Sequence, residues 1–128
     1  MIYLVLRKQD GRFPCLNNEG TLEFLEAENK PQSVGWRDFV EIVLRNKYGF
    51  SKNLVEGIKI VEPLYTSGDN VFVYVELGIY RLYAFLPFFS VSFPIVQSKF
   101  TLNKVVRENL PDIKMNLEML GLWEINEK

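Results

Sequence analysis

Residues Val34 to Phe50, VGWRDFVEIVLRNKYGF, constrain this chain more than any other stretch, because they encode one amphipathic helix between two strand-rich halves. Phe39, Val40, Val43, Leu44 and Tyr48 recur at three- and four-residue spacing and mark a stripe that has to be buried. Asp38, Glu41 and Arg45 mark the opposite, solvated stripe, with Glu41 four residues before Arg45, the order that favours an ion pair. Ser33 or Gly35 can cap the start, and Asp38 suits the positive end of the helix dipole. Lys47, Gly49 and Phe50 form a Schellman-like stop.

The flanking sequence reads as strands and turns. Ile2 to Arg7 is apolar and β-prone, and Asp10-Gly11 is a hairpin signal leading to Phe13 to Leu16, where Pro14 implies an edge or a bulge. A second turn at Asn17 to Gly20 precedes Thr21 to Glu26, so the opening is expected to be a β-meander, followed by a polar loop from Ala27 to Gly35. Beyond the helix, a strand over Lys59 to Leu64 is expected to end at Pro63. The sequence VFVYVEL, Val71 to Leu77, is the strongest strand, and Ile79 to Leu86 another, hinged at Gly78. Phe88 to Val96 reads as irregular or strand-like. Thr101 is expected to cap a short helix to about Asn109. A second helix is then expected from Pro111-Asp112, with Ile113, Leu117 and Leu120 on one face, a stop at Gly121, and Leu122 and Trp123 packed back onto the body. The class is α+β: a mixed sheet with one helix inserted between strands and helices at the C-terminus. With 128 residues and no linker or repeat, residues 1–128 read as a single domain.

Composition removes several chemistries. The chain has no histidine and one cysteine, Cys15, so Ser-His, Cys-His and CxxC sites within it are excluded, as is an intrachain disulfide. A formal net charge of −1 gives no bulk attraction to nucleic acid or anionic lipid. The start, MIYLVLRK, lacks the positive region and small-residue site of a leader and reads as a first strand. Leu82 to Ser98 is uncharged, but it holds Pro87 and Pro94 and falls short of the ~20 residues of a spanning helix. The expectation is a cytoplasmic protein with no membrane partner.

The order of elements and the spacing of the helix stop resemble the Nudix hydrolase family. When the family's box, G-x5-E-x7-R-E-U-x-E-E-x-G-U, is laid on the chain, its final Gly-apolar pair falls on Gly49-Phe50 and its apolar position on Leu44. The strand leading into the box falls on Thr21 to Leu25. The likeness covers roughly Met1 to Leu86 and, more loosely, the C-terminal helix. The chemical positions depart from the family: its first glycine is Glu28, its first glutamate Val34, its Arg-Glu pair Ile42-Val43 and its Glu-Glu pair Asn46-Lys47. In the family those glutamates hold Mg²⁺ or Mn²⁺ against a diphosphate. The resemblance therefore implies a Nudix-like domain with a degenerate box, no catalytic residues and no cofactor.

Three functional expectations follow. The first is a non-enzymatic interaction or assembly module. Its partner would be another protein or a second copy, held through the apolar segment Tyr80 to Phe93, with Tyr83, Phe85, Phe88, Phe89 and Phe93 as the contact residues. The second is a divergent Mg²⁺- or Mn²⁺-dependent hydrolase of nucleoside-diphosphate derivatives using Glu26, Glu28 and Glu76; Glu26 and Glu28 would share a strand face. Against it stands a surface role for these acids, with Arg81 pairing to Glu76 across a hairpin. The third is a nucleotide or RNA binder in which Arg45, Lys47 and Lys52 neutralise phosphate. Tyr74, Tyr80, Tyr83 and Phe85 read as core aromatics rather than a stacking platform, because Arg81 is the only cation near them before Lys99.

Overall fold

The computed structural model describes residues 1–78, 88–91 and 101–124, for 88–91 the backbone alone. Two mixed sheets and three helices are present among these residues, which places the chain in the α+β class. The first sheet has the order β4-β1-β6-β5, formed by Leu25–Ala27, Ile2–Arg7, Asn70–Glu76 and Ile60–Ser67. In it β1 runs parallel to β6 and antiparallel to β4, while β5 runs antiparallel to β6. The second sheet has the order β7-β2-β3-β8, formed by Phe88–Val91, Phe13–Asn18, Thr21–Glu23 and Thr101–Leu102. The helices are α1 (Trp36–Asn46), α2 (Lys52–Glu56) and α3 (Lys104–Met119).

β1 and β6 lie at the centre and are covered on both faces, which is why both read as nearly continuous apolar runs. Leu4, Leu6, Val73 and Val75 face a core completed by Val40 and Leu44 of α1, Phe50, Val55 of α2 and Ile58. Val5, Phe72 and Tyr74 face the other way. Their core is completed by Phe13, Cys15 and Leu22 of the second sheet and by Val106, Leu110, Ile113 and Leu117 of α3. The sheet is thus sandwiched between the α1–α2 layer and the second sheet with α3.

Several sequence expectations are corrected. The expected strand from Thr21 to Glu26 is two strands in different sheets, β3 and β4, parted at Phe24. Its alternation fails there because Phe24 and Leu25 are consecutive and both buried, one in each core. The Asp10-Gly11 turn likewise carries the chain from the first sheet to the second instead of closing a paired hairpin, so the opening is no simple meander. Pro14 pairs only with Ser90 of β7, since β3 begins its pairing at Leu16, so the strand is locally an edge there as expected. Pro63 does not end β5. The strand runs on to Ser67 with a bulge between Pro63 and Tyr65, tolerated because β5 is at the margin of its sheet.

At the C-terminus the expected pair of helices is one, α3, with Pro111 inside it. Its cap is Asn103, whose side chain accepts from the Val106 N–H at 2.9 Å, not Thr101, which pairs in β8. The continuous stripe Val106-Leu110-Ile113-Leu117 holds the helix together across the proline, while Leu120 is half exposed. Leu122 and Trp123 pack back as expected. The Leu122 N–H donates to the Leu117 carbonyl at 2.8 Å, and Trp123 stacks on Phe13 at 6.3 Å. The expected strand 79–86 and the partner Arg81 lie outside the described residues.

Gly78 follows β6 and is buried against α2. A Cβ there would overlap the Gly57 carbonyl oxygen, a backbone atom with no freedom to retreat. Gly78→Ala is therefore expected to destabilise the fold by about 3 kcal/mol, the upper end for overpacking, read as a drop in urea midpoint. A midpoint equal to wild type would contradict this packing.

Candidate functional site

α1 is fixed by side chains that reach the segment before β5 at its start and the edge strand β4 just past its end. At its start Gly35 occupies the cap position without a side-chain bond, and the Arg37 guanidinium donates to the Ile58 carbonyl at 2.7 and 3.1 Å and to that of Lys59 at 3.2 Å. At its end Gly49, with φ of 71°, adopts the left-handed conformation. Its N–H donates to the Arg45 carbonyl, and that of Phe50 donates to Leu44, so the glycine stop takes the simpler left-handed form.

The two residues after α1, Lys47 and Tyr48, then close the margin of the first sheet. β4 is an edge strand, and Glu26 pairs with Tyr3 of β1 on one side only. On its open side the Tyr48 hydroxyl accepts from the Glu26 N–H at 2.7 Å and donates to the Glu26 carbonyl at 3.1 Å. The Lys47 ammonium donates to that same carbonyl at 2.9 Å. An edge that would otherwise offer free backbone groups to another strand is satisfied internally.

The three expected carboxylates do not come together. Glu26 shares a sheet face with Tyr3, whose phenol pKa is raised by burial and then by that carboxylate, so Glu26 lies on the face away from α1. Glu28 is exposed beyond the end of β4. Glu76 lies at the far end of the sheet, opposite Arg7 in the register. From Tyr3 to Arg7 is roughly 13 Å along the strand, and β4 to β6 adds about 10 Å across. The stacked rings of Tyr3 and Phe72 occupy the face between them. Carboxylates sharing one ion must approach within about 5 Å, and no metal-holding group forms among the described residues.

Glu76 has a different role. It accepts a hydrogen bond from the Tyr74 hydroxyl at 2.8 Å. Burial first, and then the bond and charge of Glu76, raise the Tyr74 phenol, with Arg7 acting in the opposite direction. Arg7 is 4% exposed, the one buried charged residue among those described. Its guanidinium lies 4.4 Å from the Trp123 ring centre and 5.4 Å from that of Phe13, and donates to the Gly11 and Leu122 carbonyls at 3.3 and 3.1 Å. Ring faces and carbonyls replace the water that the charge loses.

The cationic set also separates. Arg45 and Lys52 line a groove of about 680 Å³ between α1 and α2, whereas Lys47 is held at β4. The same groove carries Asp38, Glu41 and Glu56, and Lys52 pairs with Glu56 at 3.6 Å. Two cations face three carboxylates, a balance that does not favour phosphate. The expected Glu41–Arg45 pair does not form; Asp38, Glu41 and Arg45 have no ion-pair partner among the described residues. Of the expected interface residues, Tyr83, Phe85 and Phe93 lie outside the described residues. Phe88 and Phe89 belong to β7, whose backbone pairs with Leu16 and Cys15 of β2.

Sequence reasoning missed two anchors. Tyr48 carried only an apolar signal, and its hydroxyl gave no hint of an edge strand 22 residues earlier. Arg7 ends an apolar strand, where a solvated charge is the ordinary reading.

Two outcomes check this geometry. Tyr48→Phe leaves the Glu26 backbone groups without the hydroxyl and should cost about 1–2 kcal/mol in denaturant unfolding, more than a solvent-exposed tyrosine would. Burial pushes the Cys15 thiol up from 9.0 to about 12. Its neutral form is favoured by folding, so native protein should resist alkylation at pH 9 and react on unfolding. Stability should fall as pH rises from 9 toward 12, because the unfolded thiol ionises first; rapid native alkylation would contradict this. No protein-family model, curated protein or solved structure matches this chain.

Proposed function

We propose that this chain is a Nudix-like domain without hydrolase chemistry that acts as a protein-interaction or assembly module. The observation that carries the reading is the use made of the end of α1. Where the family's box would require paired glutamates, Asn46 is exposed and Lys47 is committed to the Glu26 carbonyl. Ile42, at the position of the box arginine, is half exposed on the outer helix face, and Val43 packs inward against the α1 core. A cation bound there would meet the Lys47 ammonium rather than carboxylate oxygens.

The hydrolase alternative with Glu26, Glu28 and Glu76 has no shared locus to support it. The phosphate-binding alternative has Arg45 and Lys52 in one groove, but in acidic company. A protein partner is served by a surface of mixed charge with an apolar centre, which the outer face of α1 offers.

Incubation with a panel of nucleoside-diphosphate derivatives and Mg²⁺ or Mn²⁺ is expected to release no product above the protein-free control. Turnover that scales with protein and is lost with chelator would overturn the reading. Thermal shift with the same compounds is expected to move the melting temperature by less than a degree, whereas a saturable rise would instead favour the nucleotide-binding alternative.

A further inference from the structure

We infer that the outer face of α1 is self-complementary and pairs with the same face of a second copy about a two-fold axis at Ile42. The inference rests on the reading of the chain as an assembly module and names its partner. Ile42 is 51% exposed, alone at the centre of the face, and the groove beside it has Val34 and Val55 in its wall. A lone exposed isoleucine carries no message by itself. Its charged neighbours supply one.

Those charges are sorted along the helix. At 1.5 Å per residue, Asp38 lies about 6 Å and Glu41 about 1.5 Å before Ile42, and Arg45 about 4.5 Å after it. At 3.6 residues per turn all three project on the same flank of Ile42. A two-fold axis through Ile42, perpendicular to the helix, reverses the order while keeping the flank. Arg45 of each copy then falls between Asp38 and Glu41 of the other, and the two Ile42 side chains meet at the axis. An isologous interface demands this self-matching pattern. The three groups are also unpaired within the described part of one copy, so no internal ion pair has to break first. An acidic or basic peptide would satisfy only one half of the face and place like charge against the other.

Light scattering from roughly 10 µM to 1 mM is expected to show the mass rise from 15.0 kDa toward twice that value. Arg45→Glu should weaken association at least about tenfold by setting acid against acid, and Asp38→Arg with Glu41→Arg should do the same by setting base against base. Mixing those two variants should restore a dimer. Ile42→Cys should give a disulfide-linked dimer on mild oxidation, since Cys15 is buried. Asp38, Ile42 and Arg45 are exposed and Glu41 partly so, and unchanged thermal melts separate lost pairing from lost folding. A monomer throughout the range overturns the inference. So does a dimer that ignores Arg45→Glu and leaves Ile42→Cys unlinked, since its contact would lie elsewhere. Neither outcome touches the non-catalytic reading, which falls only on metal-dependent turnover.

Discussion

The pairing of β1 with β6 at the centre of the first sheet, covered on both faces, is the constraint on which the other elements depend. Leu4 and Leu6 look one way and Val5 the other, all of them buried. Two apolar faces cannot both meet water, so the chain has to supply two covering layers. α1 and α2 supply one, and the second sheet with α3 the other. The parallel register of β1 on β6 also requires a crossing connection, and most of the chain between Arg7 and Asn70 builds it.

Edges and charges are settled in the same economy of contacts. β4 would be a bare margin, but Tyr48 and Lys47 bind the backbone of Glu26. The segment just past α1 therefore serves the sheet, with the Lys47 ammonium engaged by a backbone carbonyl. Arg7, lodged between Phe13 and Trp123, ties the segment after α3 to the first strand and to the turn at Gly11. Arg7, Lys47 and Tyr48 each tie separate elements of the fold together. On the outer face of α1, Ile42 is left half exposed beside the groove shared with α2.

Much of the secondary structure was legible because it rests on local signals. The stripe Phe39-Val40-Leu44 and the stop at Gly49 fix α1 by spacing and backbone conformation alone, and VFVYVEL could scarcely be anything but a buried strand. Errors gathered where distant packing overrode a local cue. Pro63 reads as a terminator until β5 is seen at a sheet margin. Pro111 reads as a helix start until the buried stripe from Val106 to Leu117 is seen to run through it. Thr21 to Glu26 reads as one strand because sequence cannot say that Phe24 and Leu25 belong to opposite cores.

For the site, the sequence by itself determined what was missing. It has no histidine, no cysteine pair, and no acid at Ile42, Val43, Asn46 or Lys47 around the end of α1. Side-chain chemistry is a property of residue type, so it can be read without coordinates. Only the tertiary structure decided which charges share a locus. It separated Glu26 from Glu76 across the sheet, drew Lys47 away from Arg45 and Lys52, and left Ile42 exposed between opposite charges. Proximity between residues far apart in the chain is set by register and layer order, which no local pattern encodes.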